Sequence, residues 1–117
     1  MERTVLIVDD HAGFRTSVRR LLEADGFRVV GEAQDGAGGI QTARELRPDL
    51  VLLDIQLPDI DGFEVCAELR QSDRAPAVVL TSTRSSADFG SLVADSGALG
   101  FLPKAELSGA ALEAFFR

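Results

Sequence analysis

With 117 residues, 45% of them hydrophobic and 26% charged, the chain has the size and composition of one ordinary domain, which excludes both disorder and a disulfide scaffold. At this length folding buries about 60–70% of the surface that the unfolded chain exposes, so there is no room for a second core. A formal net charge of −7 and a pI near 4.6 argue against direct binding of nucleic acid or anionic lipid, because both need Lys and Arg concentrated on one face and here Arg19, Arg20 and Lys104 are scattered. Proteins and a cation are the expected partners.

The longest apolar runs, Val5 to Val8 and Leu50 to Leu53, are far shorter than the ~20 residues of a membrane span. Met-Glu-Arg-Thr at the N-terminus leads into a strand-like segment without the apolar stretch of a signal peptide, so a cytoplasmic protein is expected. Cys66, the single cysteine, can form no internal disulfide and reads as a small apolar helix residue.

Thr4 to Val8 is a continuous aliphatic run, the pattern of a parallel strand buried on both faces. Phe14, Val18, Leu21 and Leu22 then follow helical spacing, and Gly26 is expected to end that helix in a left-handed conformation. Phe27 to Ala33 reads as a second strand at a sheet edge, interrupted by Arg28 and Glu32. A helix from Gly36 to Arg47 carries Ile40, Ala43 and Leu46 and stops at Pro48, with Gly38 and Gly39 weakening its first turn. Asp49 to Asp54 is a second deeply buried strand, followed by the loop Ile55 to Gly62.

Asp61 is placed to cap a helix bearing Phe63, Cys66 and Leu69, and Val78 to Ser82 forms a fourth strand after Pro76. Ser85 or Ser86 opens a further helix through Phe89, Leu92 and Val93 to Gly97, and Gly90 within it costs about 1 kcal/mol relative to alanine. That helix is expected to be the least stable. Leu99 to Leu102 is the last strand, and Ser108 opens a closing helix through Leu112, Phe115 and Phe116. Strands and helices alternate throughout, the pattern of a doubly wound α/β fold with a parallel sheet and helices on both faces.

Asp9 and Asp10 end the first strand and Asp54 ends the third. In a doubly wound sheet whose order begins 2-1-3, these strands are neighbours at the topological switch point, so the three carboxylates converge in one crevice. Each pair at ~4 Å repels by roughly 4 kcal/mol at an effective dielectric of 20. A hard cation with oxygen ligands is the natural counterweight, and Mg2+, which keeps several waters, suits a site open on one side. Zinc is disfavoured, since His11 is the only histidine and reads as a helix-entry residue while Cys66 lies elsewhere.

These motifs, Asp9-Asp10 after a buried strand, Asp54 within Leu-Leu-Asp-Ile-Gln-Leu-Pro-Asp-Ile-Asp-Gly, Ser82 ending the fourth strand and Lys104 after the fifth, resemble the receiver domain of bacterial two-component response regulators. The resemblance covers essentially the whole chain, 1–117, and implies the flavodoxin-like five-stranded order 2-1-3-4-5. It further implies that Asp54 accepts a phosphoryl group from a sensor histidine kinase, and that Asp10, Asp54 and the backbone carbonyl of Gln56 hold Mg2+, with Asp9 acting largely through water. Lys104 and the Ser82 hydroxyl would contact the phosphoryl oxygens, and Phe101 would be the switch aromatic.

Two residues depart from the family pattern. Phe101 stands where tyrosine is common, and Ala105 rather than proline follows Lys104, so a cis peptide there is not expected. Output is expected through the helix from Ser86 to Ser96, the last strand and the last helix, toward a second copy or a downstream protein. The sequence ends at Arg117, as for a single-domain regulator or one whose output segment has been removed.

A flavin or nucleotide binder would need a phosphate-binding loop after the first strand, where Asp9 and Asp10 repel phosphate. A phosphatase with an aspartate nucleophile would carry Asp-x-Asp there. Asp59-Ile-Asp61-Gly62 only faintly resembles a calcium loop. A receiver-like interaction module that is never phosphorylated stays open, and such a domain catalyses nothing beyond its own phosphorylation and slow dephosphorylation.

Overall fold

The computed structural model describes residues 2–116. Five parallel strands, β1 (Thr4–Val8), β2 (Arg28–Ala33), β3 (Leu50–Asp54), β4 (Ala77–Ser82) and β5 (Gly100–Pro103), form one sheet in the order β2-β1-β3-β4-β5. This is the doubly wound arrangement expected, with β1 and β3 at its centre and β2 at an edge. Val8 pairs with Leu53, so the two strands end side by side.

Alternation along each strand divides the core in two. Val5, Ile7, Leu50, Leu52 and Val79 pack with Val18 and Leu22 of α1 (Ala12–Ala24) and Leu112 of α5 (Gly109–Ala114). Leu6, Val8, Val51, Leu53 and Leu80 face the other way, onto Ala43 of α2 (Gly36–Leu46) and Val65, Cys66 and Leu69 of α3 (Gly62–Arg70). A strand covered on both sides has no solvent face, which is why these runs carry no polar alternation.

Helix entries follow local capping chemistry. His11 Nδ1 accepts from Phe14 N–H at 3.2 Å, so the histidine is the helix-entry residue expected. Asp61 Oδ1 caps α3 through Glu64 N–H at 2.9 Å. The glycine-weakened start of α2 is held twice, by Asp35 Oδ1 on Gly38 N–H at 2.7 Å and by the Asp59 carboxylate on Gly36 and Ala37 N–H at 2.8 and 2.9 Å. These bonds, Ala37 foremost and then Gly36, hold the Asp59 carboxyl down at about 2.

The helix expected from Ser85 or Ser86 to Ser96 is not continuous. A 3₁₀ turn at Ser86–Phe89 is followed by a short α4 (Leu92–Asp95), with Gly90 between them at φ 59°, ψ −131°. Gly90 therefore breaks the helix rather than merely weakening it, because that backbone conformation is open to glycine and closed to residues with a Cβ. The last strand lies one residue later than expected, and α5 ends at Ala114, before Phe115 and Phe116. Lys104 opens a 3₁₀ turn, Lys104–Glu106, and no described peptide bond is cis.

Gly62 fixes how closely the start of α3 approaches β3. A Cβ there would lie 2.6 Å from the Asp54 carbonyl oxygen and 2.7 Å from Ile55 Cα, both backbone atoms that cannot swing aside. Gly62→Ala is expected to cost about 2 kcal/mol and to lower Tm by about 10 °C. A thermal scan showing an unchanged Tm would contradict this close approach.

Candidate functional site

The ends of β1 and β3 bring Asp9, Asp10 and Asp54 together, each with a carboxylate oxygen within 4.8 Å of the others. Asp9 and Asp54 are buried, at 1% and 4% exposure, whereas Asp10 faces solvent. The site is thus closed beneath and open at Asp10. It lies in a cleft of about 670 Å³ that is also lined by His11, Phe14, Gln56, Thr83, Lys104 and Ala105.

Local backbone turns aim the acids. Asp9 Oδ1 accepts from His11 N–H at 2.8 Å, and Asp54 Oδ1 accepts from Gln56 N–H at 3.1 Å. Arg15 Nη1 donates to the Asp9 carbonyl at 2.6 Å while its Nε holds Glu32 at 3.0 Å, tying the first turn of α1 to β2 beneath the acidic loop. The remaining oxygens meet a cation of the chain itself: Lys104 Nζ stands 2.6 Å from Asp9 Oδ2 and 3.3 Å from Asp54 Oδ2.

The electrostatics follow from this burial. Desolvation pushes the Asp54 carboxyl up to about 6, assisted by the Asp9 charge and opposed by the Gln56 N–H bond and by Lys104. Burial alone would lower the Lys104 ammonium, but its contacts with Asp9 and Asp54 outweigh it and hold the group above its ordinary 10.5. Burial thus works against the charged form of Asp54, while the two acids favour the charged form of Lys104.

Ser82 is fully buried at the end of β4, with its Oγ accepting from Arg84 N–H at 3.0 Å; Thr83 is the β4-end hydroxyl residue that lines the cleft. Phe101 stands in an aromatic row, 6.2 Å from Phe89, which is itself 5.8 Å from Phe63. Cys66 is buried, and burial pushes its thiol up, as suits a packing residue. Arg15, Phe14 and Thr83 had no signal of their own in the sequence, since a helix-entry phenylalanine or arginine reads as core or solvated surface until the fold places it.

The donor set suits a hard divalent cation: it is all oxygen, with one acid exposed enough to leave room for water. Asp9, Asp10 and Asp54 form the cluster able to hold it.

Residues 5–115 match the family described as response regulator receiver domain. A Pseudomonas aeruginosa protein described as a transcriptional regulator is 46% identical over 102 residues, covering 87% of this chain and 49% of its own length. The Bordetella pertussis virulence-factor transcription regulator BvgA is 42% identical over 106 residues, covering 91% of this chain and 51% of that protein. The chain therefore spans about half the length of these curated relatives. Among solved structures, a LuxR-family two-component response regulator from Aurantimonas superposes with a TM-score of 0.88 at 33% identity, over 97% of this chain and 84% of that one.

The raised Asp54 carboxyl makes a pH prediction for protein held in chelator. Its folded value, about 6, lies above the ordinary 3.8, so the fold retains a proton that the unfolded chain has released across that interval. Stability is therefore lost as pH rises from about 4 to 6, and the loss persists above it. Relative to wild type, Asp54→Asn should gain on the order of 2 kcal/mol between pH 4 and pH 7. Urea titrations at both ends of the range measure it; a pH-independent difference would contradict the burial argument.

Proposed function

The chain belongs to the response regulator receiver domain family of two-component systems, and on that premise we propose that Asp54 is its phosphoacceptor. The observation that carries this reading is the buried Asp54 carboxylate at the central strand end, clustered with Asp9 and Asp10, in contact with Lys104, and lining the same cleft as Asp10 and Lys104. An Asp54 carboxylate oxygen attacks phosphorus, and the electron pair of the breaking P–N bond stays on the donor histidine of a sensor kinase. Catalysis of such a transfer is mostly positioning and charge stabilisation.

Asp10 and Asp54, with the Gln56 carbonyl, are the residues that would hold Mg2+, and Asp9 would bind through water. A bound Mg2+ would supply positive charge against the equatorial phosphoryl oxygens. Lys104 supplies a second positive group, and its contact with Asp54 would pass to a phosphoryl oxygen. Ser82 Oγ gives up its backbone contact to donate to another, and Phe101 follows into the space released.

Residues 1–117 are read as one receiver unit that works in the cytoplasm, and the matched relatives are about twice as long as the segment they share with it. The output face of this unit is α4, β5 and α5. Its support is the break at Gly90 and the exposure of Leu92 and Leu99, at 54% and 43%, on elements beside Phe101. The partner there is a second copy or a downstream protein.

A small acyl phosphate with Mg2+ is expected to add one phosphoryl group, at Asp54, as read by intact-mass and peptide spectra. Asp54→Asn should take none, and Asp10→Asn should weaken Mg2+ binding. Wild-type stoichiometry on Asp54→Asn would show the assignment to be wrong. Beryllofluoride with Mg2+ should change amide exchange over residues 86–103; a change confined to residues 14–25 would exclude the proposed output face.

A further inference from the structure

The Lys104 ammonium has three neighbours: Asp54 Oδ2, to which it donates at 3.3 Å, Asp9 Oδ2, which it meets as an ion pair at 2.6 Å without a hydrogen bond, and, 4.3 Å away, the centre of the Phe14 ring. The ring face carries the negative end of the aromatic quadrupole, so it attracts the ammonium without competing for its hydrogen bonds. Phe14 is itself fixed at both ends. Its N–H is held by His11 Nδ1 at 3.2 Å, and its side chain packs on the cluster of Val18, Leu22 and their neighbours.

We propose that Phe14 is a positioning residue for phosphoryl transfer, its ring face holding the Lys104 ammonium over Asp54 and shielding that side of it from water. The proposal rests on the reading of Asp54 as phosphoacceptor and assigns a role to a residue outside the acidic cluster. The ammonium sits on a long flexible stem. Without the ring, water reaches that side of the ammonium, and the stem samples positions in which the charge no longer faces the attacking oxygen. The ring also gives the cleft an apolar lining beside the polar Asp10 and Gln56, so the ammonium acts in a drier setting than its position at a surface opening implies.

Phe14→Leu and Phe14→Tyr separate this role from packing, because leucine fills apolar space without a ring and tyrosine keeps the ring face. The first measurement is the proton spectrum of the Lys104 ε-methylene, shifted upfield by the ring current in wild type and Phe14→Tyr and returned to ordinary values in Phe14→Leu. The second is the first-order rate of Asp54 labelling by saturating acyl phosphate with Mg2+. It should fall about fivefold in Phe14→Leu and recover in Phe14→Tyr.

Wild-type protein that takes no label at Asp54 defeats the phosphoacceptor reading, and the proposal with it. Label on wild type at a rate matched by Phe14→Leu defeats the role of Phe14 alone. An equal loss in Phe14→Leu and Phe14→Tyr, or a Lys104 methylene without an upfield shift in wild type, also overturns it.

Discussion

Two carboxylates, Asp9 and Asp54, are carried below the surface by the two central strands of the sheet, and the site depends on what meets their charge there. At full burial an unpaired carboxylate costs several kcal/mol, and part of the compensation is built from backbone: the N–H groups of His11 and Gln56 turn back on the acids two residues behind them. The rest comes from Lys104, which reaches both acids from the turn after β5. One lysine cannot neutralise three carboxylates. Burial displaces the Asp54 carboxyl toward neutrality more than the Gln56 N–H and Lys104 draw it back, and the surplus of acids leaves the site with an appetite for a further cation.

The fold meets this demand by packing the strand ends tightly. β1 and β3 are covered on both faces by helices, and Gly62 lets α3 begin against the backbone of Asp54 itself. The backbone that carries the acids is therefore packed from both sides. Arg15 fastens the Asp9 carbonyl to β2 through Glu32, and Asp59 fastens the loop after β3 to the start of α2. The region beyond β4 is built differently: a 3₁₀ turn, a glycine break and a one-turn α4, with exposed Leu92 and Leu99. Rigid elements hold the chemistry, and the least regular ones flank Phe101, where a change at Ser82 can be passed outward.

Much of this was legible in the residues. The runs at 4–8 and 50–54 have no polar alternation because both sheet faces are covered, and that marked them as the central strands. The caps at His11 and Asp61 are local chemistry between residues three apart, which a sequence carries in full. The continuous helix over 86–96 was misread because the spacing of Phe89, Leu92 and Val93 fixes neither a regular backbone nor a buried face: Gly90 admits a conformation that ends the helix, and Leu92 is exposed.

The sequence by itself determined the α/β class, the two buried strands and the convergence of Asp9, Asp10 and Asp54 once those strands are neighbours, because burial and strand ends are properties of short segments. Only the tertiary structure decided which acids are buried, that Lys104 lies between Asp9 and Asp54 rather than beside either, and that Phe14 presents its ring to that ammonium. Those relations join residues 50 to about 100 positions apart. No local propensity records such distances; they arise where the ends of β1, β3 and β5 are brought to one edge of a closed-packed sheet.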